Sequence, residues 1–79
     1  MNEKELESKI IELVKMSYGV KNDELTIKTR FKEDLNAASV KMVALVSEIE
    51  NELDVSIMLA DASECTTIGD LIHLVAEEM

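Results

Sequence analysis

The chain has 79 residues and a formal charge of −9, with no proline, two glycines and one cysteine. That length accommodates one domain spanning residues 1–79 around a single small core. The acidity disfavours nucleic acid or an anionic membrane as partner, and a lone cysteine excludes an internal disulfide and suits a reducing cytoplasm.

The charge is unevenly placed. All eight basic residues lie in the first 41 positions together with eight acids, so that segment is neutral, and the nine acids from Met42 onward carry the whole net charge. Such an acidic half suits basic protein surfaces, or serves solubility alone. Only Tyr18 and Phe31 are aromatic, so the core must be aliphatic. Abundant Leu, Glu and Lys with few breakers favour helices over strands. The N-terminus is charged from Glu3 onward and does not read as a secretory signal. The longest apolar run, Met42 to Val46, is too short to span a bilayer.

In chain order, a first helix is predicted over Asn2–Ser17. Asn2 and Glu5 have capping-box spacing, and Leu6, Ile10, Leu13, Val14 and Ser17, with Ile11 beside them, recur at helical spacing. Gly19 is a natural stop. Val20 to Ala38 shows no sustained periodicity. A loop of that length needs its own anchors, and Leu25, Ile27, Phe31 and Leu35 are the apolar residues available.

Ser39–Leu53 reads as the second helix. Met42, Leu45, Val46, Ile49 and Leu53 form its core stripe. The opposite face, Val40, Ala44, Ser47 and Asn51, carries no charge, with Glu48 and Glu52 on one flank and Glu50 on the other. An exposed neutral stripe on an acidic protein suggests a contact surface, although small residues are also simply tolerated there. Asp54–Ile57 is a short connection, and Leu59–Glu64 suits a single helical turn. Thr67 and Asp70 then have capping-box spacing ahead of Ile68, Leu71, Ile72, Leu74 and Val75, which predicts a last helix of about ten residues. Amphipathic helices of these lengths imply an all-α bundle with a long loop between helices 1 and 2.

Catalytic constellations are missing. His73 is the only histidine, and nothing in the spacing brings it to Ser39, so a partly exposed position on the last helix is expected. No set of Cys and His has metal-ligand spacing, and no Gly-rich phosphate loop is present. Cys65 reads as a small buried hydrophobe.

The order of features carries more than any one of them. Phe31-Lys-Glu-Asp-Leu-Asn-Ala-Ala-Ser39 precedes an amphipathic helix, followed by Glu50-Asn-Glu-Leu-Asp-Val-Ser-Ile57 and Thr66-Thr-Ile-Gly-Asp70. This resembles the acyl carrier protein family over nearly the whole chain. The resemblance implies a small four-helix bundle. It also implies that Ser39 accepts 4′-phosphopantetheine, whose thiol holds an acyl group as a thioester.

On that basis the chain is a carrier rather than an enzyme. It would serve a fatty-acid, lipid or specialised-metabolite pathway in the cytoplasm, as a monomer without metal. The implied partners are a phosphopantetheinyl transferase and acyl-transferring or acyl-activating enzymes, met through Val40, Val43, Ala44, Ser47, Glu48 and Asn51. Leu45, Val46, Ile49, Leu59, Ile68, Leu71 and Ile72 would line the acyl chain or simply fill the core.

Departures accompany the likeness. Asp-Ser-Leu of the family has become Ala38-Ser39-Val40, Lys41 stands where an acid is usual, and Ala44, Asn51 and Leu59 replace further acids. They point to a carrier dedicated to one pathway. A helix start also favours a serine as a cap or a phosphate through its free N–H groups and dipole, and Lys41 in the first turn is a possible contact for that phosphate. The alternatives are an unmodified, carrier-like interaction module and a small hydrolase using Ser39, which lacks an oriented base.

Overall fold

The computed structural model describes residues 2–19, 25–33 and 39–79, with the backbone alone for Ser39 and Val40. Four helices follow in order: α1 (Glu3–Tyr18), α2 (Ser39–Leu53), α3 (Leu59–Ser63) and α4 (Ile68–Glu77). The bundle is all-α as predicted. Helix α1 packs on α2 and α4, while the single turn of α3 bridges α2 and α4.

Both ends of α1 have a local cause. Asn2 caps α1 by accepting the Glu5 N–H at 2.8 Å, and its side-chain amide donates to Glu5 Oε1 at 3.0 Å. The pair is therefore reciprocal through side chains and not through the Asn2 backbone. Gly19 ends α1 at φ +66°, with its N–H on the Lys15 carbonyl, a left-handed turn that costs glycine little. Asp54 follows α2 at φ +53°, where Asp is among the better-tolerated side chains.

The core stripes lie where the periodicity puts them. Leu6, Ile10, Leu13 and Val14 of α1, Met42, Leu45, Val46 and Ile49 of α2, and Ile68, Leu71, Ile72 and Val75 of α4 are buried together. Each fully buried aliphatic side chain contributes roughly 1.5–3 kcal/mol. Leu53 and Leu74 pack at the edge. On α1 the stripe continues through Tyr18, four residues after Val14, and Ser17 lies only at its margin. Both hydroxyls are shielded from water and have no hydrogen-bond partner among the described residues.

The long first loop is secured differently from expectation. Leu25 and Phe31 are buried anchors, and the Phe31 ring lies 5.9 Å from the Tyr18 ring. Ile27 is 44% exposed and is not part of the buried core. Leu35 lies outside the described residues. The loop is instead tied by its backbone to the start of α4. Phe31 N–H donates to Thr66 O at 3.0 Å, Ile68 N–H to Thr29 O at 2.9 Å and Gly69 N–H to Ile27 O at 2.8 Å.

Those contacts complete the N-terminus of α4. Thr67 Oγ1 accepts the Asp70 N–H at 3.1 Å, and Asp70 Oδ2 accepts the Thr67 N–H at 3.2 Å, the predicted capping box. The Leu71 N–H reaches Thr67 O at 3.3 Å. All four N–H groups that a helix start leaves without intrahelical partners thus have acceptors, two of them loop carbonyls. Gly69 permits this approach, because a Cβ there would lie 2.8 Å from the Ile27 carbonyl oxygen.

Candidate functional site

Ser39 is the first residue of α2, so its backbone belongs to the helix, and the capping position before it falls on Ala38, outside the described residues. A cap at that position would have no side-chain acceptor, since Ala carries none. The first turn of α2 also has no acid. By contrast α1 begins with Asn2, Glu3 and Glu5, and α4 with Thr67 and Asp70. The N-terminus of α2, with the positive end of its dipole, thus lies beside Ser39 with no acid in its first turn, a setting that fits a phosphate group.

Lys41 in that first turn turns to α1. Its ammonium donates to the Tyr18 carbonyl at 3.4 Å and stands 5.9 Å from the centre of the Tyr18 ring, near the outer limit of a cation–π contact. The C-terminal end of α1 carries partial negative charge. That charge accounts for a cation placed where the dipole of its own helix disfavours it.

The outward face of α2 matches its pattern. Val43, Ala44, Ser47, Glu48 and Asn51 are exposed; the side chain of Val40 lies outside the described set. Two of the three acids beside this face have partners within the chain. Glu50 Oε2 accepts the Ile57 N–H at 3.1 Å, which ties the end of α2 to the connection before α3. Glu52 pairs with Lys9 of α1 at 3.3 Å. Glu48 has no such partner among the described residues. The face is therefore apolar and amide in character, with one unengaged acid.

Of the residues expected to line an acyl chain, Leu45, Val46, Ile49, Ile68, Leu71 and Ile72 belong to the one buried core cluster. Leu59 does not: it is 43% exposed on α3.

The remaining reactive side chains do not assemble a catalytic site. His73 projects to solvent and pairs with Glu77 one turn on, at 3.2 Å. Cys65 is half-buried at the edge of the core, more exposed than a core hydrophobe, with Sγ 3.7 Å from the Asp61 carbonyl. Burial, then Asp70, Asp61 and Glu64, push its thiol up to about 11, which leaves it protonated and unreactive at neutral pH. Among the described residues no group of three or more His, Cys, Asp or Glu could hold a metal ion, and no helix is long and apolar enough to cross a membrane.

A four-helix bundle with a serine opening its second helix and a neutral face beside it defines a small carrier-type domain. Residues 8–75 match the family model described as a phosphopantetheine attachment site. The acyl carrier protein of Chlorobium phaeobacteroides is 31% identical over 78 residues, covering 99% of this chain and 100% of the relative. That of Chlorobium phaeovibrioides is 32% identical over the same shares. A solved structure of a candidate acyl carrier protein from Mycobacterium tuberculosis superposes with a TM-score of 0.84 at 27% identity, covering 94% of this chain and 99% of that one. The chain belongs to the acyl carrier protein family. Its cofactor is 4′-phosphopantetheine, and its role is that of a carrier and not of a catalyst.

Two features of this site were not read from the sequence. Tyr18 as the partner of Lys41 lies 23 positions away, and no local pattern links them. Gly69 carried a signal: glycine in the first turn of an otherwise strong helix former is costly and implies close backbone approach.

Proposed function

We propose that Ser39 is the residue that carries the 4′-phosphopantetheine arm. In this reading the protein, a cytoplasmic monomer, passes a thioester-bound acyl group between the enzymes of one dedicated fatty-acid, lipid or specialised-metabolite pathway. The observation that carries it is the single serine of the Phe31–Met42 stretch, placed at the opening of α2 beside an exposed, uncharged face. When attached, the arm supplies a terminal thiol. The chain supplies the rest: a hydroxyl for esterification at the positive end of α2, a surface for docking, and an apolar core able to shelter the acyl chain.

The docking surface is Val40, Val43, Ala44, Ser47, Glu48 and Asn51. Its partners are a phosphopantetheinyl transferase and acyl-transferring or acyl-activating enzymes. Dedication to one pathway rests on Ala38, Lys41, Ala44 and Asn51, which withhold acids that a general carrier would show to basic enzymes.

The test is incubation of Ser39→Ala with coenzyme A and the transferase from the same cells. Modification should disappear while the helical content stays unchanged, because alanine is the best helix former at the first position of α2. Modification persisting at another serine would overturn the assignment.

A further inference from the structure

We infer that Lys41 is a positioning residue, which holds the first turn of α2, and with it Ser39, against the C-terminus of α1. The inference deepens the assignment of the arm to Ser39 and rests on it only for its consequence, not for the contact itself.

Helices α1 and α4 begin with side-chain caps and acids that stabilise their first turns without help from elsewhere. Helix α2 has no acid in its first turn, and the residue before it, Ala38, has no side-chain acceptor. Among the described residues, Lys41 is the side chain that ties this first turn to another helix. The ammonium meets the Tyr18 carbonyl at 3.4 Å and stands over the ring of the same residue. Tyr18 is itself fixed: it is 5% exposed, and its ring packs on Phe31. The Phe31 N–H in turn donates to Thr66 O, which links the cluster to the start of α4. A charge on a flexible stem thus meets a rigid acceptor at the negative end of α1. Holding the attachment turn in one orientation would favour productive meeting with a transferase.

Amide hydrogen exchange on the apo protein, with transferase kinetics beside it, tests this. Lys41→Met keeps the length of the side chain and removes the charge. Protection in the last turn of α1 and the first turn of α2 should fall about 2- to 5-fold, the ratio expected for a cation at an exposed helix C-terminus. Protection in α4 should be unchanged, and kcat/KM for modification should fall by a similar factor. Lys41→Arg, which can still reach the carbonyl, should restore both.

Unchanged protection in apo Lys41→Met would overturn the inference, as would an even loss across all four helices. An effect confined to the phosphopantetheinylated form would also overturn it, and would give Lys41 to the phosphate instead. Modification of Ser39→Ala would remove the attachment assignment and leave the exchange result standing, so the two failures are distinguishable.

Discussion

Replacing Gly69 by alanine sets two effects against each other at one atom. Gly69 is the second residue of α4, and in a free helix alanine would be favoured by about 1 kcal/mol. Here the new Cβ would sit 2.8 Å from the Ile27 carbonyl oxygen and 3.3 Å from Ile27 Cβ. The same oxygen accepts the Gly69 N–H at 2.8 Å, so the loop cannot retreat from the methyl group without stretching that bond. The Ile68 N–H bond to Thr29 O, two residues along the loop, shares the strain. Overpacking costs typically about 1–3 kcal/mol, and each weakened hydrogen bond adds about 0.5–1.5 kcal/mol. The costs exceed the propensity gain, and Gly69→Ala should destabilise by about 1–5 kcal/mol. In a domain of this size Tm should fall by about 4–8 °C for each kcal/mol. Thermal and urea unfolding followed by circular dichroism measure the change, and faster exchange of the Ile68 and Gly69 amides would locate it. A variant as stable as the parent, or more so, would refute the reasoning and show that the exposed Ile27 segment moves aside freely.

Thr67→Ala should cost about 0.5–2 kcal/mol by removing the acceptor for the Asp70 N–H, read from the urea midpoint. Tyr18→Phe should leave stability at neutral pH unchanged or raised, because the phenol oxygen is buried without a partner among the described residues and loses no hydrogen bond to them. Burial raises the pKa of both Tyr18 and Cys65 in the folded state and so disfavours their ionised forms. Their contribution to stability is therefore full below the unfolded-state values and is lost as pH rises, for Cys65 between the ordinary thiol value of 9.0 and about 11. Tyr18→Phe combined with Cys65→Ala should flatten the alkaline fall in Tm, and native Cys65 should resist iodoacetamide until that same range. Association with the natural partner should depend weakly on salt, since Glu50 and Glu52 are engaged within the chain and exposed charge is screened. A steep fall in a salt series would instead make charge the governing term.

The parts of the fold legible in the sequence are those set by neighbours along the chain. The stripe Met42, Leu45, Val46, Ile49 declares one face of a helix, and Thr67 with Asp70 declares its start, because these interactions span three or four residues. Tyr18 extends the α1 stripe by the same rule, although Ser17 fits the count nearly as well and volume decides between them. The loop was not legible in this way. Ile27 is as apolar as Leu25, yet it contributes a carbonyl and its side chain stays outside the core, 44% exposed, because the backbone hydrogen bonds to α4 fix the orientation of that segment. Lys41 likewise makes sense only once the end of α1 is beside it. Its cost to its own helix was visible in sequence, but the acceptor that offsets that cost was not. Ser39 is proposed from the order of motifs, and its place at the start of the second helix, predicted as Ser39–Leu53, is the one observed.

The central claim is that Ser39 bears the arm, and the mass of the protein taken from the cells that make it tests this most directly. Intact mass spectrometry followed by fragmentation should show the mass of 4′-phosphopantetheine, with or without an acyl group, on the peptide containing Ser39. A protein whose whole population carries no such addition, or carries it on a peptide without Ser39, would contradict the account.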